Sequence, residues 1–103
     1  MAWLLRRGEV LASVDVARSR RDALRSVSSG AGRGVALVRG ARPVPALGSR
    51  GRVDLAYLDP ELVVLSRPRA GLPPRRAAHV LVAARGSFER WGLRPGDALE
   101  LKE

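Results

Sequence analysis

The sequence predicts an α+β domain dominated by β structure: a small curled sheet or partial barrel with two short helices, built by residues 1–103 as one compact domain. Three observations carry that expectation. Short runs with period-two alternation recur along the chain, as in Val53-Asp54-Leu55-Ala56-Tyr57-Leu58. Clusters of Gly, Pro and Asp interrupt those runs at close intervals. Two segments read as helices, and both are short. A sheet with so little helix to cover it protects its edges best by curling toward closure.

From the N-terminus, Glu9 to Val16 alternates as a strand, with Val10, Ala12, Val14 and Val16 on one face and Glu9, Ser13 and Asp15 on the other. Leu11 breaks the alternation, which implies partial cover on both faces. Ser19 can then cap a helix to about Val27, where Ala23 and Val27 stand four apart with Leu24 beside them. Arg18, Arg21 and Arg25 fall on a different face with Asp22 among them. Such a stripe is ordinarily a solvated helix face, and its sharper reading is a basic docking surface. Ser28 to Gly34 ends the helix as a glycine loop. A phosphate cradle would follow a strand and open a helix, whereas this loop closes one and leads into a short strand, Val35 to Val38.

Ala41 to Arg52 is irregular, with Pro43, Pro45, Gly48 and Gly51. Val53 to Leu58 and Leu62 to Leu65 form a hairpin around Asp59-Pro60-Glu61. Four consecutive apolar residues in the second strand predict burial on both faces, near the sheet centre. Ser66 to Arg76 is linker-like and the most basic loop, with Arg67, Arg69, Arg75 and Arg76. His79 to Ala83 is a further strand. Ser87 is placed to cap the closing helix, with Arg90 at the third position. Gly92 stops that helix, Pro95-Gly96-Asp97 turns the chain, and Ala98 to Lys102 forms the last strand. The expected core gathers Leu55, Tyr57, Val63, Leu65, Leu81, Trp91 and Leu99, with Val63 at its centre.

The order of these pieces resembles the family called domain of unknown function 192, over nearly the whole chain from about Val14 to Leu101. The similar stretches are Val14-Asp15-Val16-Ala17 and Arg21 to Arg25, then Gly48 and Arg50, then Val53 to Asp59. Val80-Leu81, Gly86 and Trp91-Gly92-Leu93-Arg94-Pro95-Gly96-Asp97 complete the set. The resemblance implies a compact, mainly β domain with no agreed biochemical activity. It marks Gly48, Arg50, Asp54, Asp59, Gly92, Gly96 and Asp97 as motif positions. The chain departs from the family pattern at Ser49, Gly51 and Arg52, where Met, an apolar residue and Pro are usual, and at Val82, where Glu is common. It therefore resembles a divergent member. A similar Gly-Leu-x-x-Gly-Asp turn occurs in bacterial swapped-hairpin transcription factors, which bind DNA as dimers.

Composition narrows function more by exclusion than by assignment. The formal charge is +9, from eighteen Arg and one Lys against ten acidic residues. The chain has no Ile, Asn, Gln or Thr, the bias of a very G+C-rich bacterial coding sequence, so the arginines need no polyanion to account for them. The absence of Cys excludes disulfides, thiolate metal sites and a Cys nucleophile. Trp3-Leu4-Leu5 ahead of Arg6-Arg7 is too short for a signal segment, and no apolar run approaches the ~18 residues of a membrane span. A cytoplasmic protein without a membrane span is expected.

His79 is the one histidine and reads as structural or exposed, and no Ser stands in a Gly-x-Ser-x-Gly elbow. Asp54 and Asp59, five apart on one strand, face opposite sides and cannot form a carboxylate pair. Asp97 is placed to accept hydrogen bonds from turn amides. No catalytic residue, cofactor or metal is therefore expected. The aromatics Trp3, Tyr57, Phe88 and Trp91 do not interleave with arginines on one strand face, as a base-stacking platform would need. The leading expectation is a non-catalytic binding or accessory module, monomeric or weakly dimeric, with another protein or an acidic surface as partner. The alternative is a sequence-nonspecific nucleic-acid binder using Arg18, Arg21, Arg25, Arg67, Arg69, Arg75 and Arg76.

Overall fold

The computed structural model describes residues 2–17, 35–39, 53–66 and 75–103. Among them are seven strands and one short helix: β1 (Ala2–Arg6), β2 (Glu9–Ala17), β3 (Val35–Arg39), β4 (Val53–Leu58), β5 (Val64–Ser66), β6 (His79–Ala84), α1 (Ser87–Trp91) and β7 (Leu99–Lys102). The strands form one sheet in the order β5-β4-β6-β3-β2-β1-β7. All neighbours are antiparallel except β2 and β3. That parallel pair needs a crossover connection. The helix expected from Ser19 to Val27 falls within this connection and lies outside the described residues.

The sheet curls until its two edge strands meet. Val63, just ahead of β5, bridges Ala98, just ahead of β7. The Val64 amide donates to the Asp97 carbonyl at 2.9 Å, Gly96 donates to Val64 at 2.7 Å, and Leu99 donates to Leu62 at 3.1 Å. Backbone groups that a flat sheet would leave as an open edge are thus satisfied within the chain. The result is a half-barrel, mainly β as the alternation patterns predict, with one of the two expected helices among the described residues.

One apolar cluster draws on all seven strands and α1, and so defines the concave side: Leu4, Val14, Val35, Leu37, Ala56, Leu58, Val64, Leu81, Ala83, Phe88, Leu93 and Leu99 all belong to it. A second cluster, Ala36, Val38, Leu55, Tyr57, Val80, Val82 and Ala84, lies on the opposite face of β3, β4 and β6. These three strands are therefore buried on both faces. Their near-continuous apolar runs, Val35-Ala36-Leu37-Val38 and Val80-Leu81-Val82-Ala83-Ala84, follow from that double burial.

Three expectations need correction. β1 was read only as a segment too short for a signal, yet it pairs with both β2 and β7. Its hairpin to β2 turns on Arg7 and Gly8, both at positive φ (54° and 81°), the two-residue arrangement whose twist suits a hairpin. The β1–β2 pairing shifts register between Leu4 and Leu5, so that Leu11 is the extra residue on β2. This bulge puts Leu11, Ala12 and Val14 against the core and leaves Val10 and Val16 exposed, which divides the four residues expected on one face. Finally, β5 is an edge strand, and Val64, not Val63, is its buried residue. Val63 and Leu65 are half-buried, because the apolar run spans a hairpin turn and an edge, not a central strand.

Candidate functional site

The half-barrel has two ends, and the chain treats them differently. β6 runs from His79 at one to Ala84 at the other, about 17 Å at 3.3 Å per residue.

The Ala84 end is sealed by α1. Phe88 and Leu93 are fully buried in the concave core, and Trp91 packs beside Phe88 with ring centroids 5.8 Å apart. The cap is not the expected one. Gly86, at φ 89°, precedes the helix, and Ser87 makes no capping bond. Instead Asp54, at the start of β4, accepts a hydrogen bond from the Phe88 amide at 3.0 Å. The Ser87 hydroxyl accepts from the Arg90 guanidinium at 3.2 Å. Gly92 ends the helix at φ 63°, as expected. Its amide donates to Glu89 and the Leu93 amide donates to Phe88, the paired bonds of a left-handed glycine stop. Arg94-Pro95-Gly96-Asp97 is a tight turn closed by the Asp97 amide donating to Arg94, with Gly96 at φ 95° where an L side chain would be strained.

Asp97 accepts from the Arg94 amide at 2.9 Å, the role expected from sequence, and also from Arg6 at 3.2 Å. The backbone bond from Arg94 first, then Arg6, hold its carboxyl below the ordinary aspartate range. Arg6 reaches on to the Trp91 carbonyl at the helix C-terminus. Sequence reasoning missed Arg6, because its partners lie 85 and 91 residues away.

Among the described residues the His79 end has no such cover and is open. A cavity of about 450 Å³ there is lined by Leu37, Arg39, Pro60, Leu62, His79, Leu101 and Glu103. Arg39 and His79 are register partners across β3 and β6, in phase with the Leu37–Leu81 and Val35–Ala83 core pairs. Both therefore stand on the concave face, one step beyond its last apolar layer. Arg39 makes no hydrogen bond or ion pair among the described residues. The His79 Nδ1 is shut off from solvent without a hydrogen-bond partner among them. Burial, reinforced by Arg39 and partly offset by Asp59, keeps this imidazole below its ordinary pKa.

Leu62, on the cavity wall, has φ 66°, an unusual conformation for a γ-branched side chain. Asp59 holds it there. The Asp59 carboxylate accepts from the Glu61 amide at 2.8 Å and the Val63 amide at 2.9 Å, while the Leu62 amide donates to the Asp59 carbonyl at 2.9 Å. Asp54 and Asp59 thus serve opposite ends of the half-barrel, in keeping with the expectation that they cannot pair.

Of the other expected site residues, Arg75 and Arg76 are exposed in a turn shortly before His79, on the open side. Arg18, Arg21, Arg25, Arg67, Arg69, Gly48 and Arg50 lie outside the described residues, as do the departures at Ser49, Gly51 and Arg52. Arg39 was missed. It ends an apolar run directly opposite the lone histidine, and that pairing is visible only in the register. Among the described residues, no helix is long and apolar enough to cross a membrane, and no three His, Cys, Asp or Glu side chains gather as a metal-binding group.

No family model matches the chain. No curated protein matches it. Two solved structures share the fold. One is a candidate transcription regulator from Sinorhizobium meliloti, at 19% identity and TM-score 0.62, covering 96% of this chain and 90% of that one. The other is a protein of unknown function from Novosphingobium aromaticivorans, at 15% identity and TM-score 0.63, covering 96% of this chain and 82% of that one. At these identities the likeness extends to the fold alone: this chain is a small domain whose half-barrel fold both structures share.

Proposed function

We propose that this protein is a divergent member of the domain of unknown function 192 family and acts as a non-catalytic binding module, holding an acidic segment of a partner protein at the open end of its half-barrel. The observation that carries the reading is that Arg39 lines the open-end cavity opposite His79 with no ionic partner among the described residues. Arg6, by contrast, is tied to Asp97 at the sealed end. Arg75 and Arg76 are exposed a few residues ahead of His79. Catalysis finds less support, since His79 has no carboxylate bonded to Nδ1 to orient it as a general base.

The test compares two triple charge reversals with the same change in net charge. Arg39→Glu/Arg75→Glu/Arg76→Glu alters the open end, and Arg7→Glu/Arg85→Glu/Arg94→Glu alters exposed residues at the sealed end. Binding of a fluorescent polyglutamate peptide should weaken about tenfold or more in the first variant and much less in the second. Equal losses would reduce the effect to overall charge and refute a localised site.

Sequence-nonspecific nucleic-acid binding is the second reading, favoured by the +9 charge and by the fold shared with a candidate transcription regulator. It predicts an affinity for duplex DNA that exceeds that for polyglutamate. That affinity would fall by nearly one unit of log-log salt slope for each phosphate neutralised.

A further inference from the structure

The open-end cavity has a polar side and an apolar side, and the two select one kind of ligand. We propose that it binds a carboxylate carried on a short apolar chain, with Arg39 and His79 taking the carboxylate and Leu37, Leu62 and Leu101 holding the chain. This deepens the binding-module reading and rests on it.

The polar side is built by strand register. Directly opposed residues on one face of an antiparallel pair have Cβ atoms roughly 5 Å apart. Arg39 and His79 stand in that relation, close enough to serve the two oxygens of one carboxylate. A guanidinium offers a planar fork of donors that matches a carboxylate. The imidazole contributes through its second nitrogen. Nδ1 is sealed without an acceptor, so a proton there would be a stranded donor. The favoured neutral tautomer carries its proton on Nε2, the nitrogen left to serve the ligand.

The apolar side is continuous with the core. Leu37 belongs to the concave cluster, and Leu62 and Leu101 pack against it. A volume of about 450 Å³ is within the usual range of small-ligand pockets. Two sources present this chemistry: a free short-chain acid, and the C-terminus of a peptide ending in an apolar residue.

Isothermal titration of the full chain with sodium hexanoate and with N-acetyl-Ala-Leu bearing a free C-terminus separates those sources. Hexan-1-ol is the control, and saturable binding of at least one monocarboxylate is expected. Hexan-1-ol should bind about tenfold or more weakly. Arg39→Gln should weaken the bound monocarboxylate by a similar factor, while Arg75→Gln/Arg76→Gln should leave it within about twofold. An unchanged urea midpoint in Arg39→Gln shows that the fold survives. The inference is overturned if neither monocarboxylate binds, if hexan-1-ol binds as well as hexanoate, or if Arg39→Gln has no effect. Failure here with polyglutamate still bound would remove this inference and leave the broader reading intact.

Discussion

The two ends of the half-barrel differ in what their polar groups do. At the sealed end Asp54 caps α1, Asp97 ties a turn to β1, and Arg6 bonds both Asp97 and the last helical carbonyl. At the open end the hydrogen-bonded carboxylate is Asp59, which shapes the wall, while Arg39 and the His79 Nδ1 find no partner among the described residues. Polar groups with partners hold a structure together. A buried polar atom left without a partner, as the His79 Nδ1 is, costs stability, whereas exposed Arg39 is hydrated. On the proposed function, the same seven strands carry a structural end and a binding end.

The comparison breaks most readily at Phe88. It is fully buried beneath α1, so Phe88→Ala should cost about 3–5 kcal/mol in urea unfolding. A loss below about 1 kcal/mol would mean that the helix does not seal that end. Val64→Ala comes next, at about 1–2.5 kcal/mol, and should exceed Val63→Ala, since Val64 is buried and Val63 half-buried. The reverse order would displace the hairpin register. Asp54→Ala removes the bond to the Phe88 amide and should cost about 0.5–2 kcal/mol. Arg39→Gln should change stability by less than about 0.5 kcal/mol, because it breaks no contact among the described residues.

Acid sensitivity sharpens the contrast, since each end contributes in a different window. The folded pKa of Asp97 is lowered, so the unfolded chain takes up its proton first. Its contribution is present above the ordinary aspartate pKa and lost as pH falls through the lower folded value. The folded pKa of His79 is lowered as well, so stability falls as pH drops below the ordinary histidine value, near 6.5. His79→Gln should flatten the stability profile between about pH 7 and 5, and Asp97→Asn should flatten it only at lower pH. Denaturant midpoints from about pH 7 down through the aspartate range measure both.

Local chemistry made the turn at the sealed end readable in the sequence, whereas contacts across the fold at either end stayed obscure. Gly92, Pro95, Gly96 and Asp97 act within a few residues of one another, so the turn at the sealed end could be read directly, down to the amide from which Asp97 accepts. Asp54 and Arg6 act across the fold, on partners 34 and 85 residues away, and no local pattern announces them. Ser87 looked like a cap because Ser is a common one, yet tertiary contact assigned that task to Asp54. The bulge at Leu11 appeared as a broken alternation, a real signal whose cause needed the β1 pairing. The open end depends on register alone: Arg39 and His79 lie forty residues apart in sequence and face each other because β3 and β6 pair in one particular alignment.

Amide chemical-shift mapping during a sodium hexanoate titration tests the division of labour most directly. The account predicts saturable shifts at Arg39, His79, Val80 and Leu101, with residues Ala84 to Asp97 unmoved. Shifts centred on α1 and the Asp97 turn, or shifts that grow without saturation at every exposed arginine, would contradict it.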